Sequence, residues 1–173
     1  MSELISIKGK FVFDPVDYTN KHKAQASWKK VAMVVFEGED CEYYAWFIKK
    51  RYMLNLNKPL RGAHITFIND SLRDMGDGIK DWDKLKAKYN GKEIEVILSV
   101  DPRTDSNDPA STNHWWLNVP EECRVELHDI RKEIGLGRPF YGLHMSLGHA
   151  NERFADHSKY IHRLILNHEG SRK

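Results

Sequence analysis

Tyr141-Gly142-Leu143-His144-Met145-Ser146-Leu147-Gly148 has an earlier double in Gly62-Ala63-His64-Ile65-Thr66-Phe67-Ile68. Each reads as a short strand carrying His-x-Thr or His-x-Ser. Strand side chains alternate faces, so His64 and Thr66 point one way while Ala63, Ile65 and Phe67 point the other. In the second copy His144 and Ser146 share a face, and Leu143, Met145 and Leu147 back it against a core. One such tripeptide carries little weight, because a lone strand histidine is more often packed or solvated than chemical. Two copies change that balance.

The surroundings repeat as well. Before His64 come the apolar run Val31-Ala32-Met33-Val34-Val35-Phe36 and a predicted helix over 40–52. Before His144 come Trp115-Trp116-Leu117-Asn118-Val119 and a predicted helix over 121–134, with Pro120 at its first position and acids in its first turn. Strand, helix and His-bearing strand thus occur twice, approximately over 31–68 and 114–148. The expected fold class is α+β: one domain over 1–173, with two pseudo-symmetric lobes of antiparallel sheet flanked by helices around a central groove. Lobes that face each other would bring two imidazoles and two hydroxyls together, a paired acid and base for phosphoryl or acyl chemistry.

His64-Ile65-Thr66-Phe67 and His144-Met145-Ser146-Leu147 resemble the signature of the two-histidine (2H) phosphoesterase superfamily, a pair of His-h-Thr/Ser-h tetrapeptides with h hydrophobic. Within it the chain looks like the bacteriophage anti-CBASS nucleases, on the Gly-x-His-Ile-Thr context, the opening Lys8-Gly9-Lys10-Phe11-Val12-Phe13-Asp14-Pro15 and the small size. The resemblance implies a metal-independent phosphodiesterase with His64 and His144 as general base and acid, in either assignment, and Thr66 and Ser146 binding the phosphate. It implies a cyclic oligonucleotide or other small nucleotide as partner, and the host cytoplasm as location if the chain is phage-encoded. Relatives acting on 2′-5′ oligoadenylates, on 2′,3′-cyclic phosphates of RNA ends, or only binding nucleotides give the alternatives.

Composition agrees with a small substrate. The 173 residues allow one sizeable core, and a net charge of +2 lacks the basic excess of a protein that coats long nucleic acids. Cys41 and Cys123 have no CxxC partner, so neither a disulfide framework nor a zinc knuckle is indicated. His144 and His149 are the pair most suggestive of a metal, yet HExxH and Cys/His clusters are missing, so neither metal nor cofactor is expected. No apolar run nears membrane-spanning length and the start lacks a signal pattern, so a soluble cytoplasmic protein without a membrane partner is expected.

The remaining segments frame the candidate groove. Residues 4–13 alternate as a strand ending at Asp14-Pro15, and 93–100 place Ile94, Val96, Leu98 and Val100 on one face. The helix over 40–52 buries Tyr44, Phe47, Ile48 and Met53; a short helix spans 82–89 and a last one 151–166. The stretch 17–30 could reach over the groove with Tyr18, His22 or Trp28, and 101–113 reads as a long surface loop. Trp115 and Trp116 face opposite ways, so one enters the core and the other can offer a face to a nucleobase. Arg61, just before the His64 strand, is either a phosphate contact or a solvated cation.

Overall fold

The computed structural model describes residues 3–15, 30–52, 54–59, 61–69, 79–105, 113–139 and 141–150. The expected helix over 151–166 and the contacts of Tyr18, His22 and Trp28 lie outside them. The fold is α+β; the described residues form a seven-stranded antiparallel sheet that curls, with three α-helices. The strands are β1 (Leu4–Phe13), β2 (Ala32–Val35), β3 (His64–Ile68), β4 (Glu93–Ser99), β5 (Arg103–Thr104), β6 (Asn113–Asn118) and β7 (His144–Ala150). The helices are α1 (Asp40–Tyr52), α2 (Trp82–Tyr89) and α3 (Val125–Lys132). In space the strands run β4-β1-β2-β3-β7-β6-β5, so the two His-bearing strands are central neighbours. The two halves, expected as lobes facing each other across a groove, are joined edge to edge in one continuous sheet.

The ladders on the two sides of the seam have matching registers. On one side of the seam Val35 pairs with His64, Val34 with Ile65, Met33 with Thr66 and Ala32 with Ile68. On the other, Asn118 pairs with His144, Leu117 with Met145, Trp116 with Ser146 and Trp115 with Gly148. Both ladders skip one residue at the same place, Phe67 in β3 and Leu147 in β7. These are β-bulges, which place one extra residue in a strand and re-aim the side chains beyond it. In each strand the bulge puts two consecutive residues inward: Phe67 and Ile68, then Leu147 and Gly148.

Each repeat's helix packs beneath the other repeat's His strand, α1 against β7 and α3 against β3. Cys41, Tyr44 and Ile48 form the buried stripe of α1 at helical spacing, with Phe47 partly buried against the core. Arg131 of α3, only 1% exposed, donates from Nη1 to the carbonyl of the bulge residue Phe67 at 2.6 Å and from Nε to Gly137 O at 2.7 Å. A bulge takes a backbone carbonyl out of the ladder, and a buried carbonyl left unmatched costs about 1–3 kcal/mol. The guanidinium supplies that partner. On β7, Cys41 Sγ points at the Ser146 carbonyl at 3.9 Å; burial pushes the thiol up to about 11, so it stays a neutral packing group.

Two expectations fail for local reasons. The helix over 121–134 is broken: Pro120 stands before a 3-10 turn, Glu121–Cys123, and α3 begins only at Val125. Arg124 between them holds the break, with Nε bonded to Val119 O at 2.7 Å and Nη1 paired with Glu121. Of the loop expected over 101–113, residues 106–112 lie outside the described ones, and Arg103 and Thr104 instead pair with Trp116 and Trp115 as the sheet's edge strand. The helix α2 packs Trp82 on Phe13 and Tyr89 on Phe11, closing the core beneath β1. No helix among the described residues is long and apolar enough to cross a membrane.

Candidate functional site

Strand alternation presents the polar half of each motif to one side. Ala63, Ile65 and Phe67, and Leu143, Met145 and Leu147, are all buried, while His64, Thr66, His144 and Ser146 are half-buried on the opposite face. The seam between β3 and β7 is made at His64 opposite Ser146, so the first motif's histidine is set across from the second motif's serine. Beside it opens a groove of about 760 Å³ whose wall includes His64, His144, Ser146, Trp116 and Arg61. Thr66 shares the face but is not part of this wall, because the groove lies toward β7 and β6.

Both imidazoles are fixed by the same local device. His64 Nδ1 lies 2.9 Å from Gly62 O, and His144 Nδ1 lies 2.8 Å from Gly142 O. A carbonyl can only accept, so Nδ1 carries the hydrogen in each ring, and Nε2 is the nitrogen left for chemistry. The glycine two residues before each histidine belongs to the device; Gly62 has φ +65°, a conformation that L side chains rarely adopt. Desolvation lowers the pKa of both imidazoles below the ordinary histidine value, and the glycine carbonyls only partly offset it. Arg61 and His144 lower His64 further; His114 and Arg124 do so for His144.

The two tryptophans divide as their adjacency requires. Trp115 is 2% exposed and packs on Tyr52 with ring centroids 5.2 Å apart, so it is a core residue and not the stacking surface. Trp116 stands in the groove, its ring 5.7 Å from that of His144 and its indole N–H donated to Asn118 Oδ1 at 3.0 Å. That bond fixes the ring plane beside the imidazole. Arg61 is no solvated cation: it is partly buried on the groove wall, and Nη2 donates to Pro15 O at 2.9 Å. Tyr18 lies outside the described residues.

Sequence reading did not assign His114, Asn118, Asp105 or Tyr141 to the wall, and it weighed His149 only as a metal ligand beside His144. His114 and Asn118 were findable, since they alternate with Trp116 on the same face of β6. His149 was not. Strict alternation from His144 through Ser146 places residue 148 on the groove side, and only the bulge at Leu147 turns His149 there instead. Gly148 permits this path: its φ is +152°, and a Cβ there would stand 2.6 Å from Asn57 O, where Asn57 and His149 bond backbone to backbone. Among the described residues no group of three His, Cys, Asp or Glu side chains could hold a metal. No family model matches the chain, and no similar curated protein or solved structure is found.

Proposed function

We propose that this groove is the active site of a metal-independent phosphodiesterase that opens 3′-5′ linkages in cyclic di- and trinucleotide messengers, and so counters CBASS defence. The observation that carries the reading is the matched lock on His64 and His144, which leaves two Nε2 atoms at one seam with a hydroxyl across from His64. A phosphodiester repels nucleophiles and has a poor leaving group, so its cleavage needs one group that takes a proton and one that gives it. Neutral Nε2 takes the proton of the attacking hydroxyl; protonated Nε2–H on the other ring delivers one to the leaving oxygen. Ser146, on the groove wall, donates to a non-bridging oxygen as charge builds there, a contact worth about 3–4 kcal/mol when preorganised. Thr66 shares that face but lies off the groove wall, so the contact falls to Ser146. Trp116 stacks on a base, for about 1–3 kcal/mol.

Purified protein incubated with a cyclic dinucleotide tests the reading directly. Linearised product is the expected result, at a rate unaffected by exhaustive chelation because imidazoles do the proton work. Intact substrate, or activity lost to chelator and restored by zinc or manganese, counts against it. Faster turnover of a 2′-5′ oligoadenylate or a nucleoside 2′,3′-cyclic phosphate would keep the chemistry and change the substrate.

The pH profile is a second test. The value of kcat/KM reports ionisations of the free enzyme and peaks where one imidazole is neutral and the other protonated. Since both are lowered, this window lies on the acid side of the ordinary histidine value of about 6.5. Above it the acid has already lost its proton, and kcat/KM falls by up to about tenfold per pH unit. Bound phosphate favours the imidazolium, so the kcat profile extends to higher pH than that of kcat/KM. A kcat/KM maximum near pH 8 would contradict the assignment.

A further inference from the structure

The groove has a second pair of imidazoles that the proposed proton transfers do not use. His114 on β6 and His149 on β7 are direct cross-strand partners, with ring centroids 6.2 Å apart and planes inclined by 45°. Both line the groove wall, beyond the Trp116–Ser146 pair. His114 is two residues from Trp116 and four from Asn118 along β6, and a strand rises about 3.3 Å per residue, so the second pair sits about 7 Å from the Trp116–Ser146 row, which His64 adjoins, and about 13 Å from the Asn118–His144 row. The His114 charge is felt at His144, which places the two rings in one electrostatic field. Asp105, the acidic residue on the same wall, turns Oδ1 onto the His114 backbone N–H at 2.7 Å.

We infer that His114 and His149 form a subsite for a second phosphate, one nucleotide step along the groove from the seam where His64 meets Ser146. The inference rests on the phosphodiesterase reading and sharpens it, because it selects ligands with two phosphate groups over those with one. Imidazole N–H groups suit an anionic oxygen: each ring donates at least one hydrogen bond when neutral and two when protonated. Hydrogen bonds to charged groups are the strong ones. The bulge at Leu147 accounts for the placement, since it turns His149 to the same side as Ser146 and opposite His114.

The test compares two ligands by calorimetry: a phosphorothioate cyclic dinucleotide, which carries two phosphate groups and resists cleavage, and a nucleoside 3′-monophosphate. For the unaltered protein the dinucleotide is expected to bind more tightly. In His114→Asn and His149→Asn the ratio of the two dissociation constants is expected to shrink about tenfold, through loss of charge-assisted bonds to the second phosphate. A ratio that stays constant, including one where both ligands weaken alike, overturns the subsite, for then the rings act only on the fold. If the unaltered protein binds neither ligand, the phosphodiesterase reading itself falls and the subsite with it.

Discussion

His144→Ala is expected to lower turnover of a cyclic dinucleotide by at least about 10²-fold, the usual contribution of one positioned acid or base. His64→Ala is expected to do the same, because the two rings are held alike at Nδ1. The double variant should lose little beyond either single one, since a proton taken on one side and not delivered on the other gains nothing. The fold should survive. Both rings are half-buried, and the carbonyls they bond belong to Gly62 and Gly142, neither of which is buried. Water can therefore replace the lost donor, at a cost of about 1 kcal/mol or less in stability. Urea midpoints beside steady-state rates check both halves of the claim. Near-normal turnover in His144→Ala removes the mechanism.

Much of the site was legible because it is local. Period-two alternation assigned the faces of both His strands, and the apolar runs located β2 and β6. The strands β1 and β4 and the helices α1 and α2 likewise arise from patterns within a few residues. The features that could not be read depend on partners distant in sequence. A bulge is a mismatch between two strands; nothing in Thr66-Phe67-Ile68 alone says that Phe67 is skipped by Met33 and Ala32. The same holds for Leu147, and with it for the side on which His149 emerges. Trp115 and Trp116 were known to diverge, but which one enters the core is set by the packing of Tyr52. Nothing in the residues around Arg131 marks it for burial, yet it is buried, because the bulge carbonyl of Phe67 needs a donor. Pro120 and the acids after it did mark a helical start, but Arg124 uses its guanidinium on Val119 O and Glu121 and splits the segment.

The crossed packing of α1 under β7 and α3 under β3 bears on how the two motifs stay in register. Were each helix seated under its own strand, the halves would share little beyond the brief seam at His64 and Ser146 and the backbone pair of Asn57 with His149. With the helices exchanged, a shift of one half against the other would disturb both buried faces. The site then depends on a core shared by both repeats, and catalytic geometry is better held by packed elements than by loops.

A cyclic dinucleotide with deoxyribose at the attacked position is expected to bind in the groove and remain uncut. In the proposed route the nucleophile is the 2′-OH beside the scissile phosphate, and an imidazole Nε2 removes its proton. Attack from within the same nucleotide is intramolecular, and proximity of this kind can contribute about 7–11 kcal/mol to a well-oriented reaction. Removing that hydroxyl removes the nucleophile while leaving the base for Trp116 and both phosphates for the groove. Binding should therefore persist while cleavage falls to background, a loss larger than that of either histidine. For the ribose substrate, mass spectrometry should find a linear first product ending in a 2′,3′-cyclic phosphate. A product bearing an open monophosphate from the first time point, together with prompt cleavage of the deoxy analogue, would assign the attack to water. The two imidazoles would then keep their proton transfers, but the nucleotide would no longer supply its own nucleophile.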